Sequence, residues 1–226
     1  MMQVEEKNIY QEGQVLLINK PLTWTSFDVV RKIRNTTKAK IGHAGTLDPL
    51  ATGLLICCTG KMTKKINEYQ AQEKEYTGSF TLGATTPTFD LESEPTDFKE
   101  ITGIDTAFLE ATAAKFTGEQ MQYPPIHSAI KQNGKPIYHL ARQGVEVKVE
   151  PRKVFITAFE ITKVELPLVY FRVVCSTGTY IRSLANDFGA ALGCGAHLSS
   201  LCRTRIGEFR LEDALDIHAF IAQFKQ

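Results

Sequence analysis

The chain has 226 residues, 43% hydrophobic and 23% charged, ordinary for a globular protein and enough for one large domain or two small ones. No apolar run approaches the ~18 residues that a membrane helix needs, and the N-terminal MMQVEEKNIYQEG, polar and mixed in charge, does not read as a signal peptide. A net charge of +1 argues against a uniformly basic protein, yet residues 20–65 hold nine Lys or Arg against two Asp, and residues 88–110 hold seven Asp or Glu against one Lys. That asymmetry fits ordinary solvated surface, or one basic face for a polyanion with an acidic face turned away from it.

In chain order, residues 15–18 form an apolar run ending at Lys20-Pro21 and read as a strand. Ser26 is placed to cap a helix, and FDVVRKIR follows with apolar residues at helical spacing. A glycine-rich loop, 42–53, leads into a short buried strand at 54–58, and residues 61–72 read as a helix. In YTGSFTL (76–82), Tyr76, Phe80 and Leu82 alternate with polar residues, the pattern of a half-buried strand. The acidic stretch 88–104 reads as a loop, 106–116 as a helix, and 122–153, bearing Pro, Gly and Lys/Arg, as an excursion from the fold. Three strand-like runs follow, at 154–159, 161–166 and 169–175. Then comes a helix whose Ile181, Leu184, Ala185, Phe188 and Leu192 make one apolar stripe. Strands and helices mix without strict alternation, which predicts an α+β fold: a mixed, largely antiparallel sheet with flanking helices.

The five cysteines are an odd count without a secretory signal, the pattern of a reducing, cytoplasmic setting. Cys194, His197 and Cys202 have a spacing that could belong to a zinc site, but a structural zinc site takes four ligands and no obvious fourth lies nearby. No metal is therefore expected. The phosphate-loop pattern is absent, so ATP use is not indicated.

The loop GHAGTLDPLATG (42–53) sets a single carboxylate, Asp48, among three glycines and a proline. Pro49 pushes Asp48 into extended backbone. The flanking glycines allow a sharp turn and the close approach of another backbone. An Asp-Pro in such a loop is more often a turn former than a catalyst. The chemistry is still narrowed, because the usual glycosidase needs two carboxylates and residues 29–67 hold only Asp48. A lone carboxylate can serve as a covalent nucleophile or an electrostatic stabiliser.

This loop resembles the catalytic loop of the TruB family of tRNA pseudouridine synthases. The resemblance runs from about Gly13 to Arg205. Asn19-Lys20-Pro21 through Thr25-Ser26 is similar to the family's first motif. Lys74, Tyr76 and Leu82-Gly83 match its K-x-Y…LG strand, and CSTGTYIRSL (175–184) and CGAHLSSLCR (194–203) match its third and fourth motifs. Two departures stand in the first motif, where the family usually carries Asp and Gly and this chain has Asn19 and Thr23. Many bacterial members continue into an RNA-binding PUA domain. The resemblance implies here a single catalytic domain over 1–226 without one.

The resemblance also implies a reaction. A uridine of the tRNA T-loop, conventionally position 55, is isomerised to pseudouridine without metal or cofactor. The expected partner is the T-arm stem-loop, with no obligate protein partner and no membrane. Asp48 is implied as the catalytic residue. His43 would contact the RNA around the flipped nucleotide, Tyr76 would stack on the target uracil, and Tyr180 and Leu201 would wall the pocket. Arg182, with the catalytic aspartate as its implied partner, Lys20 and Arg203 would be supporting residues. The excursion at 122–153 resembles the insertion that closes over the T-arm. Each residue also has a plainer reading. Tyr76 and Leu201 could be ordinary core, His43 a loop histidine satisfied by backbone, and Lys20, Arg182 and Arg203 surface charge. A non-catalytic tRNA-binding chaperone and a guide-dependent, dyskerin-like relative are the alternatives. Binding alone does not need Asp48, Tyr76 and Arg182 together.

Overall fold

The computed structural model describes residues 8–126, 131–132, 135–136 and 149–224. They fall into two compact units: Met1–Glu75 with Cys202–Gln226, and Tyr76–Leu201. The strands β4 (Lys74–Leu82) and β10 (Ala196–Ile206) carry residues of both.

The first unit opens with a short helix α1 (Ile9–Glu12), then β1 (Val15–Lys20) and α2 (Ser26–Thr37). Thr25, not Ser26, caps α2. Its hydroxyl accepts from the Asp28 amide while the Asp28 carboxylate accepts from the Thr25 amide, a reciprocal capping box. Ser26 is freed for another task, described below. Two strands follow, β2 (Ile41–His43) and β3 (Ala51–Thr59). Residues 61–72 are not one helix: a 3-10 turn (Gly60–Lys65) precedes α3 (Ile66–Ala71). At the chain's end lie β11 (Phe209–Arg210), β12 (Leu215–Asp216) and α6 (Ile217–Ala222). β1 pairs antiparallel with β3, Ile18 opposite Leu55, and parallel with β12; β2 also pairs antiparallel with β3, His43 opposite Cys57. Val29, Val30 and Ile33 of α2 are buried against Ile18, Leu55, Cys57, Ile217 and Phe220, so the apolar stripe read in FDVVRKIR is the face that builds this core.

The second unit contains α4 (Thr106–Ala114), β5 (Gly118–Gln122), β8 (Arg152–Glu165), β9 (Leu168–Cys175) and α5 (Ile181–Leu192). A two-strand ribbon, β6 (Lys131–Gln132) and β7 (Lys135–Pro136), also belongs here. The rest of 127–148 lies outside the described residues, and with it most of the excursion at 122–153. Strand neighbours run β4-β9-β8-β5, with β9–β8 and β8–β5 antiparallel. The two runs read at 154–159 and 161–166 are one strand, β8, whose register slips between Ile156 and Ala158 and between Ile161 and Lys163. A bulge reverses the inward and outward alternation, so one strand reads as two. The core is aromatic: Phe80 stacks on Phe171 with centroids 4.2 Å apart, and Phe159 meets Phe188 edge-on at 5.2 Å. Both units thus build mixed or antiparallel strands with flanking helices, as expected. Among the described residues no helix is long and apolar enough to cross a membrane.

Candidate active site

In the first unit the loop 42–53 is fastened at four points. Ser26, at the start of α2, grips Leu47 twice: its Oγ accepts from the Leu47 amide at 2.8 Å and donates to the Leu47 carbonyl at 3.2 Å. Immediately beyond Asp48, the Pro49 carbonyl accepts from the Thr23 amide at 2.8 Å and lies 3.5 Å from Lys20 Nζ. The Asp48 carbonyl itself accepts from the Ala51 amide at 3.1 Å. Arg203 ties the loop's two flanks, donating from Nε to the Leu54 carbonyl at 2.8 Å and from Nη2 to the Gly45 carbonyl at 3.1 Å. Gly53 has φ +104° and sits where a Cβ would lie 2.4 Å from the Arg203 carbonyl oxygen, so only glycine admits the neighbouring strand this closely. Asp48, half-buried, is held on a backbone fixed on both sides.

Lys20 and Arg203 are not surface charges: they are 0% and 1% exposed. Lys20 also donates to the carbonyls of Pro21 and Trp24. Burial pulls its ammonium down to about pKa 8, the Asp48 carboxylate opposes that shift, and the Arg203 charge adds to it. His43 closes β2 rather than lying in the loop. Burial lowers its pKa, a backbone hydrogen bond at Gly45 opposes this, and Arg203 lowers it further, so the imidazole is neutral at neutral pH. The structure therefore brings Lys20, His43, Asp48 and Arg203 into one electrostatic neighbourhood.

In the second unit Tyr76 is buried in β4, while Tyr180 and Leu201 are half-buried. Arg182 stands in the first turn of α5 with its side chain 5% exposed, which rules out a plain surface arginine. Its Nε lies 3.6 Å from Asp90 Oδ2, and Nη1 donates to the Thr88 carbonyl at 3.3 Å. Asp90, itself 4% exposed, accepts from the Glu92 amide at 3.0 Å, and its carbonyl accepts from the hydroxyls of Thr86 and Thr88. The second unit thus supplies Arg182 with a buried carboxylate of its own. His197 Nδ1 lies 3.0 Å from the Ala84 carbonyl, and the Cys194 thiol points to the Gly195 carbonyl. Among the described residues no three His, Cys, Asp or Glu side chains gather as a metal-ligand set.

Residues 31–181 match the family model described as TruB family pseudouridylate synthase (N terminal domain), and residues 182–226 match that of the tRNA pseudouridylate synthase B C-terminal domain. This chain belongs to the TruB family. It is 53% identical over 219 residues to the tRNA pseudouridine synthase B of Flavobacterium johnsoniae, covering 93% of this chain and 96% of that one. With the Chlorobaculum tepidum protein of the same name it shares 48% identity over 217 residues, covering 93% and 90%. Among solved structures it resembles a chain of the crystal structure of a Cbf5-Nop10-Gar1 complex, at 31% identity and a TM-score of 0.73. That match covers 94% of this chain and 54% of the other, so this chain spans about half the length of that solved relative.

Within this TruB-family chain, sequence reasoning missed Ser26 and Asp90. Ser26 was hidden by its own helix-cap chemistry, since Ser and Thr both suit that position. The signal that separates them is Asp28, three residues after Thr25. Asp90 was hidden in a run of acids that reads as solvated surface. The hydroxyl-rich TTPTFD (85–90) was the available clue, because threonine hydroxyls and short acids satisfy one another in buried turns.

Proposed function

We propose that this chain is a tRNA pseudouridine synthase acting on a uridine of the T-loop, at the position conventionally numbered 55. The N1–C1′ bond breaks, the uracil turns over, and C5 bonds to C1′. The proton that leaves C5 is balanced by one gained at N1, so no electrons and no net atoms are exchanged. Asp48 acts as nucleophile or as stabiliser of the sugar cation. Tyr76 stacks on the flipped uracil. Tyr180 and Leu201 wall the pocket against water, which would otherwise capture the sugar. His43, neutral, contacts the RNA around the flipped nucleotide. Arg182 orients the catalytic carboxylate, and Lys20 and Arg203 support the loop that carries it.

The observation that carries this reading is the fastening of the backbone on both sides of Asp48, Leu47 on Ser26 and Pro49 on Thr23 and Lys20. A turn-forming aspartate needs no such frame, whereas a reacting carboxylate loses rate steeply with misplacement. Family membership and the names of the relatives support the same reaction. The chain works as one catalytic module whose excursion at 122–153 contacts the T-arm. Its setting is the cytoplasm, in keeping with five free cysteines.

The test is carbodiimide mapping of pseudouridine in a tRNA transcript incubated with this protein alone. One new pseudouridine in the T-loop is expected. An unmodified transcript that nevertheless binds the protein would favour the non-catalytic chaperone instead.

A further inference from the structure

Strand β5 ends at Gln122, whose side chain points inward and is 4% exposed. Its amide closes a ring with the main chain of Tyr180. Nε2 donates to the Tyr180 carbonyl at 3.0 Å, and the Tyr180 amide donates to Oε1 at 2.8 Å. One residue further, the Tyr123 carbonyl accepts from Ser183 Oγ at 2.7 Å. Opposite Gln122 in the β5–β8 register stands Arg152, with its guanidinium carbon 5.6 Å from the centre of the Tyr180 ring. The strand end at 122–123 is thus pinned to residues on both sides of Arg182, and the paired residue on β8 covers the Tyr180 ring.

The chemistry of this latch is specific. The Gln122 amide holds a donor and an acceptor in one rigid plane and uses both on the carbonyl and the amide of a single residue. Tyr180 is the N-cap residue of α5 and makes no capping bond through its own side chain. The position of the first turn, and of Arg182 within it, is therefore set from outside the helix.

We infer that Gln122 is a positioning residue for the reaction: its amide fixes the main chain of Tyr180 and the first turn of α5, and with them the pocket wall and the Arg182 guanidinium. The inference rests on the roles proposed above for Tyr180 and Arg182. It adds that the strand ends flanking the excursion, Gln122 and Arg152, hold the pocket wall. The latch acts on the reacting geometry and not on RNA affinity, since phosphate contacts supply most of the latter.

The experiment compares wild type with Gln122→Met and Gln122→Glu on a T-arm stem-loop RNA, by single-turnover rates at saturating enzyme, dissociation constants and thermal melts. Gln122→Met keeps the length and removes both hydrogen bonds. It is expected to lose about 10²-fold in rate, with Kd within threefold of wild type and a folded protein at the assay temperature. Gln122→Glu supplies a pH readout. Ionised, it faces the Tyr180 carbonyl with a second acceptor; protonated, it restores one donor and one acceptor. Its rate relative to wild type should therefore rise as pH falls from 8 to 5.5. A single-turnover rate within threefold of wild type for Gln122→Met would overturn the inference, as would a pH-independent rate ratio for Gln122→Glu. Absence of turnover in wild type would remove the underlying reading, a failure visible before any variant is made.

Discussion

A guanidinium in the first turn of a helix lies against the positive end of the macrodipole, at a cost of about 0.3–1 kcal/mol, and Arg182 adds the cost of near-complete burial. Asp90 and the Thr88 carbonyl offset both. The planar fork can be held by such partners and still present its remaining donors in a fixed direction. Arg182→Lys keeps the charge and loses the fork. We expect it to fold and to bind T-arm RNA normally but to lose at least ~10²-fold in single-turnover rate; a near-normal rate would remove the orienting role. Lys20 gives a prediction on pH. Its folded pKa, about 8, lies below the ordinary 10.5. Between those values the unfolded chain binds more protons than the folded one, so this group's contribution to stability rises with pH across the window and is lost as pH falls through 8. Lys20→Met lacks the titration. The melting temperature of wild type minus that of Lys20→Met should therefore grow from pH 7.5 to 10, as read by paired thermal melts. A constant difference would show that Lys20 is not held at a depressed pKa.

At the scale of elements, the loop 42–53 shows what a sequence discloses and what it hides. The glycines of 42–53 announced a close backbone approach, and Gly53 against Arg203 is that approach. The partner could not be read, because it lies about 150 positions along the chain and nothing local encodes it. The same holds for Ser26 on Leu47. Helices with clean apolar stripes, α2 and α5, were legible in place and face. β10 was not, since its AHLSSLCRTRI lacks a simple alternation; its Ser199 and Ser200 hydroxyls instead meet Ser79 Oγ at 3.0 and 2.7 Å. The departure at Thr23 has a physical reading. Thr23 has φ +69°, where a β-branched residue carries strain of about 1–2 kcal/mol, while its amide holds the Pro49 carbonyl. Glycine removes the strain and keeps the amide, at an unfolded-state entropy cost of about 0.5–1 kcal/mol. Thr23→Gly should therefore raise stability by about 0.5–1 kcal/mol with catalysis unchanged, measured by urea unfolding and single-turnover assay. A loss of stability would mean that the Thr23 side chain contributes more than its backbone strain costs.

For the whole molecule, the charge asymmetry resolves into different uses of the same residue types. Arg31, Lys32, Arg34, Lys38, Lys40, Lys61, Lys64 and Lys65 are exposed in the first unit and suit phosphate contacts, while Lys20 from the same basic stretch is buried beside the loop 42–53, as is Arg203 from far along the chain. The acidic stretch divides likewise, with Asp90 buried and Asp97 and Glu100 exposed. Net charge carried neither distinction, because burial depends on partners distant in sequence. This separation lets affinity and chemistry be tested apart, and Asp48 is where they part most sharply. The decisive measurement is Asp48→Asn assayed beside wild type on the same tRNA, by single-turnover pseudouridine formation and by equilibrium binding. Asparagine keeps the shape and removes the charge. The predicted result is a rate lower by at least ~10⁴ with tRNA affinity within a few-fold, since phosphate contacts supply most of the binding. Substantial pseudouridine formation by Asp48→Asn would contradict the central role assigned to this carboxylate.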